Sequence, residues 1–130
     1  MEFKKIIYVG IGGFIGTCIR YIISTKAPKI INAHLPLGTL IVNVVGGFLI
    51  GLIIKLSLSS DLISPSLKLF LTTGIMGGLT TFSTFSYETI SLFSDSYYII
   101  GLANIALNLF LSLGGVCLGE LVISRIMLIK

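Results

Sequence analysis

The sequence predicts an all-α membrane protein of four transmembrane helices with a break in the third. Three observations predict it: extreme apolarity, four apolar stretches of spanning length, and a glycine-rich, hydroxyl-rich interruption inside one of them. The chain has 130 residues, 55% of them hydrophobic and only 11% charged, with a mean hydropathy of +1.07. A soluble domain carries about 25% charged residues, and a chain this short keeps a large fraction of its surface exposed. That surface suits lipid better than water.

The stretches run over about 6–23, 37–58, 67–93 and 97–126. A membrane-spanning helix needs about 20 apolar residues. The separators are short and polar. Residues 24–36 carry Lys26, Pro28, Lys29, Asn32 and His34; residues 57–66 carry Asp61, Pro65 and several serines; residues 94–96 form a tight turn around Asp95. Lys4 and Lys5 before the first stretch imitate a leader peptide, yet no small-x-small cleavage pattern follows and Arg20 interrupts its end, so it reads as the first helix. The whole of 1–130 reads as a single four-helix transmembrane domain.

The net charge is +4. Its cations sit at the ends of the apolar stretches, which fits membrane flanks better than a nucleic-acid face. Lys4, Lys5, Lys55, Lys68, Arg125 and Lys130 fall on one side; Lys26 and Lys29, with Arg20 if it reaches the interface, fall on the other. The bias is weak and leaves orientation open. Cys18 and Cys117 lie inside apolar stretches without a Cys/His cluster, so they read as small packing residues and a zinc site is not expected.

Helices in lipid approach through small residues. Four GxxxG spacings occur: Gly12 and Gly16, Gly47 and Gly51, Gly74 and Gly78, Gly115 and Gly119. So many close-approach faces on four helices suggest a homodimer.

Polar groups inside a span are costly and therefore candidates for function. The densest run is 74–88, GIMGGLTTFSTFSYE. Three glycines followed by Thr and Ser are poor helix formers, so the run reads as a helix that breaks and restarts, or as a glycine-rich packing kink. A break frees carbonyls that lipid cannot satisfy and that can hold a cation. Beyond it, Phe82 and Phe85 share a face, next to a Thr81, Thr84, Glu88 stripe. Phenyl edges are electropositive and can line an anion path beside hydroxyl donors; two phenylalanines in a span also often face core or lipid. Asn104, Asn108 and Ser112 form one row on the fourth helix, and Asn43 adds a carboxamide from the second. Such a row can donate to an anion or glue helices. Arg20 either snorkels to the interface or draws anions into a vestibule. Glu120 reads as pairing near a helix end. No triad, paired carboxylates, P-loop or dinucleotide fingerprint appears, so the chain is not expected to be an enzyme.

These residues resemble the Fluc/CrcB family of fluoride channels over essentially the whole chain. The resemblance rests on GGFIG at 12–16 leading to Arg20 and Tyr21, GTLIVN at 38–43 with Gly46, Gly47, Phe48 and Gly51, and above all GGLTTFSTFS at 77–86. It implies a fluoride-selective channel in the cell membrane that relieves fluoride toxicity. It further implies a dual-topology homodimer of oppositely inserted chains with two pores along the interface. It implies a structural sodium ion at the dimer centre, held by the carbonyls of Gly77 and Thr80 from both subunits. Phe82, Phe85 and Asn43 would line the pores, with Ser83, Thr84, Asn104, Asn108 and Ser112 as the polar track. The alternative is a small multidrug-type transporter, similar in size and helix number; that class relies on an acid in its first helix, and none lies between Lys5 and Arg20. An anchoring protein without transport would explain the glycines but not the polar rows.

Overall fold

A computed structural model describes residues 2–30 and 34–129. The order is α1 (Glu2–Ile30), α2 (Leu37–Ser59), a composite third segment over 65–94, and α6 (Tyr98–Leu128). The third segment comprises α3 (Pro65–Leu69), a π-helical turn (Phe70–Met76), α4 (Gly77–Leu79) and α5 (Phe82–Ser94). No strand occurs among the described residues. Three helices, α1, α2 and α6, are each long and apolar enough to cross a membrane. The third segment is interrupted at Thr80–Thr81, so no single helix in it reaches that length.

α1 outruns its apolar stretch by a full turn and more. Its polar end stays helical because such residues tolerate a helix at the interface, and Thr25 Oγ1 donates to the Tyr21 carbonyl one turn back (2.8 Å). Asn32 lies outside the described residues. His34 stacks on Tyr97, with ring centroids 4.5 Å apart. At the 94–96 turn Ser96 adopts a left-handed φ of 66°, and the Tyr97 N–H returns to the Leu92 carbonyl (2.8 Å), which closes α5 against the start of α6.

The glycine pairs fix the arrangement. A Cβ on Gly12 would lie 2.6 Å from the Phe70 carbonyl oxygen and 2.9 Å from Gly74 Cα; one on Gly78 would lie 2.5 Å from the Gly13 carbonyl oxygen. α1 and the third segment therefore touch backbone to backbone, running in the same direction. A Cβ on Gly47 would lie 2.7 Å from the Ser112 carbonyl oxygen, and one on Gly115 would lie 3.0 Å from that of Val44. Gly51 faces Val116, and Gly119 faces Phe48 and Leu52, so α2 and α6 also run parallel. All four pairs are thus used inside one chain. The inference from them to a homodimer does not hold: two glycine seams need two glycine-bearing helices each, and the chain supplies all four.

Between the two seams lies the core of Val42, Met76 and Leu79, with Ile23, Leu49, Ile50, Ile53 and Ile75 packed around it. Most other large apolar side chains point outward, among them Phe14, Tyr21, Leu102 and Phe110. An outer surface of this kind matches a lipid environment. Cys18 and Cys117 belong to that outer surface as free thiols, not to the packing inside.

Candidate functional site

The break sits one residue beyond the glycine cluster, at the threonines. Gly74, Gly77 and Gly78 remain in helical turns, and Gly74 and Gly78 are pressed against α1. Thr80 (φ −82°, ψ 156°) and Thr81 (φ −152°, ψ 119°) are extended, as suits β-branched residues. The π-helical turn just before them has no counterpart in the sequence reading; such turns gather at functional sites.

Thr81 restarts the helix as its N-cap. Its Oγ1 accepts from the Thr84 N–H (3.2 Å), donates to Thr84 Oγ1 (3.1 Å) and lies 3.3 Å from Ser83 Oγ. The backbone at the break is paired by one side chain. Asn43 Oδ1 accepts the Thr81 N–H (2.8 Å), and Asn43 Nδ2 donates to the Thr81 carbonyl (3.2 Å). A carboxamide matches a peptide group, so Asn43 pairs with an extended residue much as a neighbouring strand would.

The bonds continue across the site. Asn43 Nδ2 donates to Asn108 Oδ1 (2.9 Å), and Asn108 Nδ2 donates to the Asn104 Oδ1 (2.9 Å) and carbonyl (3.0 Å). Asn104 Nδ2 donates to Thr89 Oγ1 (2.9 Å), which donates to the Phe85 carbonyl (2.8 Å). The network therefore joins α2, α6, the break at Thr81 and the helix that restarts beyond it. Asn104 is fully buried at 0% exposure and stands behind the wall. We expect Asn43→Leu to lose three hydrogen bonds, at about 0.6 kcal/mol each in membrane proteins. Stability should fall by about 2 kcal/mol, read as an earlier thermal transition of the purified protein in detergent.

In front of this network opens a groove of about 630 Å³. Asn43, Asn108 and Ser112 line it, together with Phe82, Phe85, Gly77, Thr80 and Thr81. The two rings stand 5.5 Å apart at 57°, close to the edge-to-face arrangement. Phe82 is 79% exposed. Ser112 Oγ is buried and has no hydrogen-bond partner among the described residues. The asparagines donate to one another, to the Thr81 carbonyl and to Thr89 Oγ1, so Ser112 and the ring edges are groups in the groove lining left for an occupant.

The carbonyls of Gly77 and Thr80 have lost their usual helical donors. The Thr81 N–H, which would serve Gly77, goes to Asn43, and the Thr84 N–H, which would serve Thr80, goes to Thr81 Oγ1. A Cβ on Gly77 would meet a single neighbour, the Thr72 carbonyl oxygen at 3.9 Å, so this glycine looks into the groove. Two oxygen acceptors without their helical donors fit a hard cation.

The structure brings together Asn43, Phe82, Phe85, Asn108, Ser112, Gly77 and Thr80, with Ser83 and Thr84 at the cap beside them. It leaves Arg20 apart: that residue is half-buried on α1, outside the groove lining. Glu120 is exposed on α6 without an ion pair among the described residues. Sequence reasoning missed Thr89, an ordinary helical threonine by pattern, and Thr39, whose Oγ1 donates to Glu88 Oε1 (2.8 Å). Glu88 Oε2 is buried without a partner among the described residues. A polar residue inside each span was the available signal for both threonines.

Comparison with known proteins bears on this site. The family model described as "CrcB-like protein, Camphor Resistance (CrcB)" matches residues 7–120. A protein of Clostridium novyi (strain NT) named "Fluoride-specific ion channel FluC" is 56% identical over 114 residues, covering 88% of this chain and 89% of the relative. A protein of that name from Clostridium perfringens (strain 13 / Type A) is 55% identical over 86% of this chain and 88% of its own length. One from Ruminiclostridium cellulolyticum is 46% identical over 96% of each. The family match spans most of the chain, including every groove residue, and with its apolar helices the chain is a multi-pass membrane protein that belongs to the CrcB family.

Proposed function

We propose that the chain forms a fluoride-selective channel of the cell membrane, assembled from two copies inserted in opposite orientations, each crossing the bilayer four times. The observation that carries this reading is the groove in which the Phe82 and Phe85 rings stand beside Asn43 and the unpartnered hydroxyl of Ser112. The name borne by the relatives supports fluoride as the ion.

The chemistry follows from hydration. Fluoride is small and strongly hydrated, and an unpaired charge in a low-dielectric region is prohibitively costly. Ring edges and Ser112 Oγ–H supply first contacts. Asn43 Nδ2 exchanges its bond with Asn108 Oδ1 for one to the ion, then takes it back. A neutral donor that already has an alternative acceptor holds the ion weakly enough to release it, as conduction demands. Asn108 and Asn104 keep Asn43 oriented between ions. Ser83 and Thr84 extend the polar track past the cap, while Arg20, apart from the groove, would act on the anion only through its long-range field.

A second copy would cover the groove, where the Gly77 and Thr80 carbonyls would otherwise face lipid, which cannot hydrogen-bond them. The Gly77 and Thr80 carbonyls of both copies would hold a sodium ion there, and that cation would supply positive charge at the dimer axis. Replacing sodium by N-methylglucamine on both sides of the membrane is therefore expected to depress flux.

Liposomes carrying the purified protein test the proposal. Rapid fluoride efflux at an electrode, with little chloride efflux in parallel, is the expected outcome. Absence of fluoride efflux from protein that elutes as a folded dimer would overturn it.

A further inference from the structure

The α2–α6 pair has a second face. Turned away from the polar groove, a smaller depression of about 430 Å³ opens between the two helices. Val45 and Phe48 from α2, and Phe110, Leu111 and Leu118 from α6, form its sides, and every residue lining it is apolar or glycine. Gly114 lies in its floor, and a Cβ there would meet nothing within 4 Å.

Two cations stand at one end of this depression. Lys55 follows Phe48 by seven residues on α2, and Arg125 follows Leu118 by seven on α6. Seven residues are just under two turns, so each cation lies on the same helix face as the apolar residue before it, about 10 Å further along. Because α2 and α6 run parallel, both cations lie at the same end of the molecule. Lys55 is half-buried and Arg125 exposed, and neither makes an ion pair among the described residues. Glu120 stands five residues before Arg125, about 140° round the helix from it, and Asp61 lies beyond the end of α2.

We propose that this face binds an anionic phospholipid, with one acyl chain in the α2–α6 depression and its phosphate between Lys55 and Arg125. An all-apolar trough in a membrane protein is filled by hydrocarbon, and the paired cations at its mouth select the headgroup charge. The trough is separate from the Asn43–Ser112 groove, so this lipid and the conducted ion do not compete for one site.

Electron spin resonance with chain-labelled lipids tests the inference in vesicles of phosphatidylcholine. Spin-labelled phosphatidylglycerol should show a larger motionally restricted fraction than labelled phosphatidylcholine, with a relative association constant of about fivefold for each cation engaged. The double variant K55Q/R125Q should bring the two lipids to parity. Gly114→Leu, whose side chain enters open space and fills the trough, should reduce restricted lipid of both kinds while the protein remains folded. Equal association of both lipids with the unaltered protein, or a preference unchanged in K55Q/R125Q, would overturn the proposal. So would complete disulfide pairing of two chains through Leu118→Cys in a background lacking Cys18 and Cys117, since a second copy would then occupy the trough.

Discussion

Phe82→Ile is expected to reduce fluoride flux by about tenfold or more while leaving the helical bundle intact. A tenfold fall in rate corresponds to about 1.4 kcal/mol on the barrier, within the range of a single aromatic interaction. Isoleucine offers the ion no electropositive edge. It also removes the partner of Phe85, whose ring packs 5.5 Å away. The effect should fall on conduction, not folding, because Phe82 is 79% exposed in the single chain and its truncation leaves no cavity inside. Phe82→Tyr, which keeps the ring edge, should retain more flux than Phe82→Ile. Fluoride efflux from liposomes, alongside gel filtration of each variant, separates the two explanations. Wild-type flux in Phe82→Ile would remove the rings from the ion's route.

A large structural effect is expected at Gly47. A valine there would place its Cβ 2.7 Å from the Ser112 carbonyl oxygen, and both atoms belong to helices locked in a continuous seam. Relief needs α2 and α6 to part, which also pulls Asn43 from Asn108. Overpacking of this kind costs about 1–3 kcal/mol, and contact with unyielding backbone at Ser112 puts Gly47→Val at the upper end. Thermal stability in detergent should collapse, and flux with it. Gly114→Ala on the same pair of helices supplies the contrast: its new methyl group meets nothing, and alanine favours a helix over glycine by about 1 kcal/mol. If Gly47→Val melted like the parent, the two helices would not touch as described.

The all-helical class and three spanning helices were legible because lipid imposes them: a spanning stretch has to be long and apolar, and the polar separators stand out against it. The position of the break was legible only to within a few residues. The three glycines pointed to it, but two of them serve contact with α1, and the chain opens at Thr80 and Thr81, where an asparagine far away in sequence supplies the missing bonds. Long-range pairing of that kind leaves no local mark. The same holds for Asn104. Its place in a row with Asn108 and Ser112 was visible at helical spacing, yet the row does not say that Thr89 takes its donor and draws it behind the wall. Glycine spacing foretold close approach correctly and its partners incorrectly, because a GxxxG face does not encode which helix it meets.

The way the seams close bears on the order of events when the protein is made. Each chain completes its tightest contacts, α1 on the third segment and α2 on α6, with glycines it carries itself. A newly inserted chain can therefore reach a compact bundle by itself. Under the proposed pairing of two copies, assembly would be a second, bimolecular stage that covers the polar groove. Copies that have not yet found a partner would already be fully helical, and the time spent waiting would depend on how many of them the membrane holds.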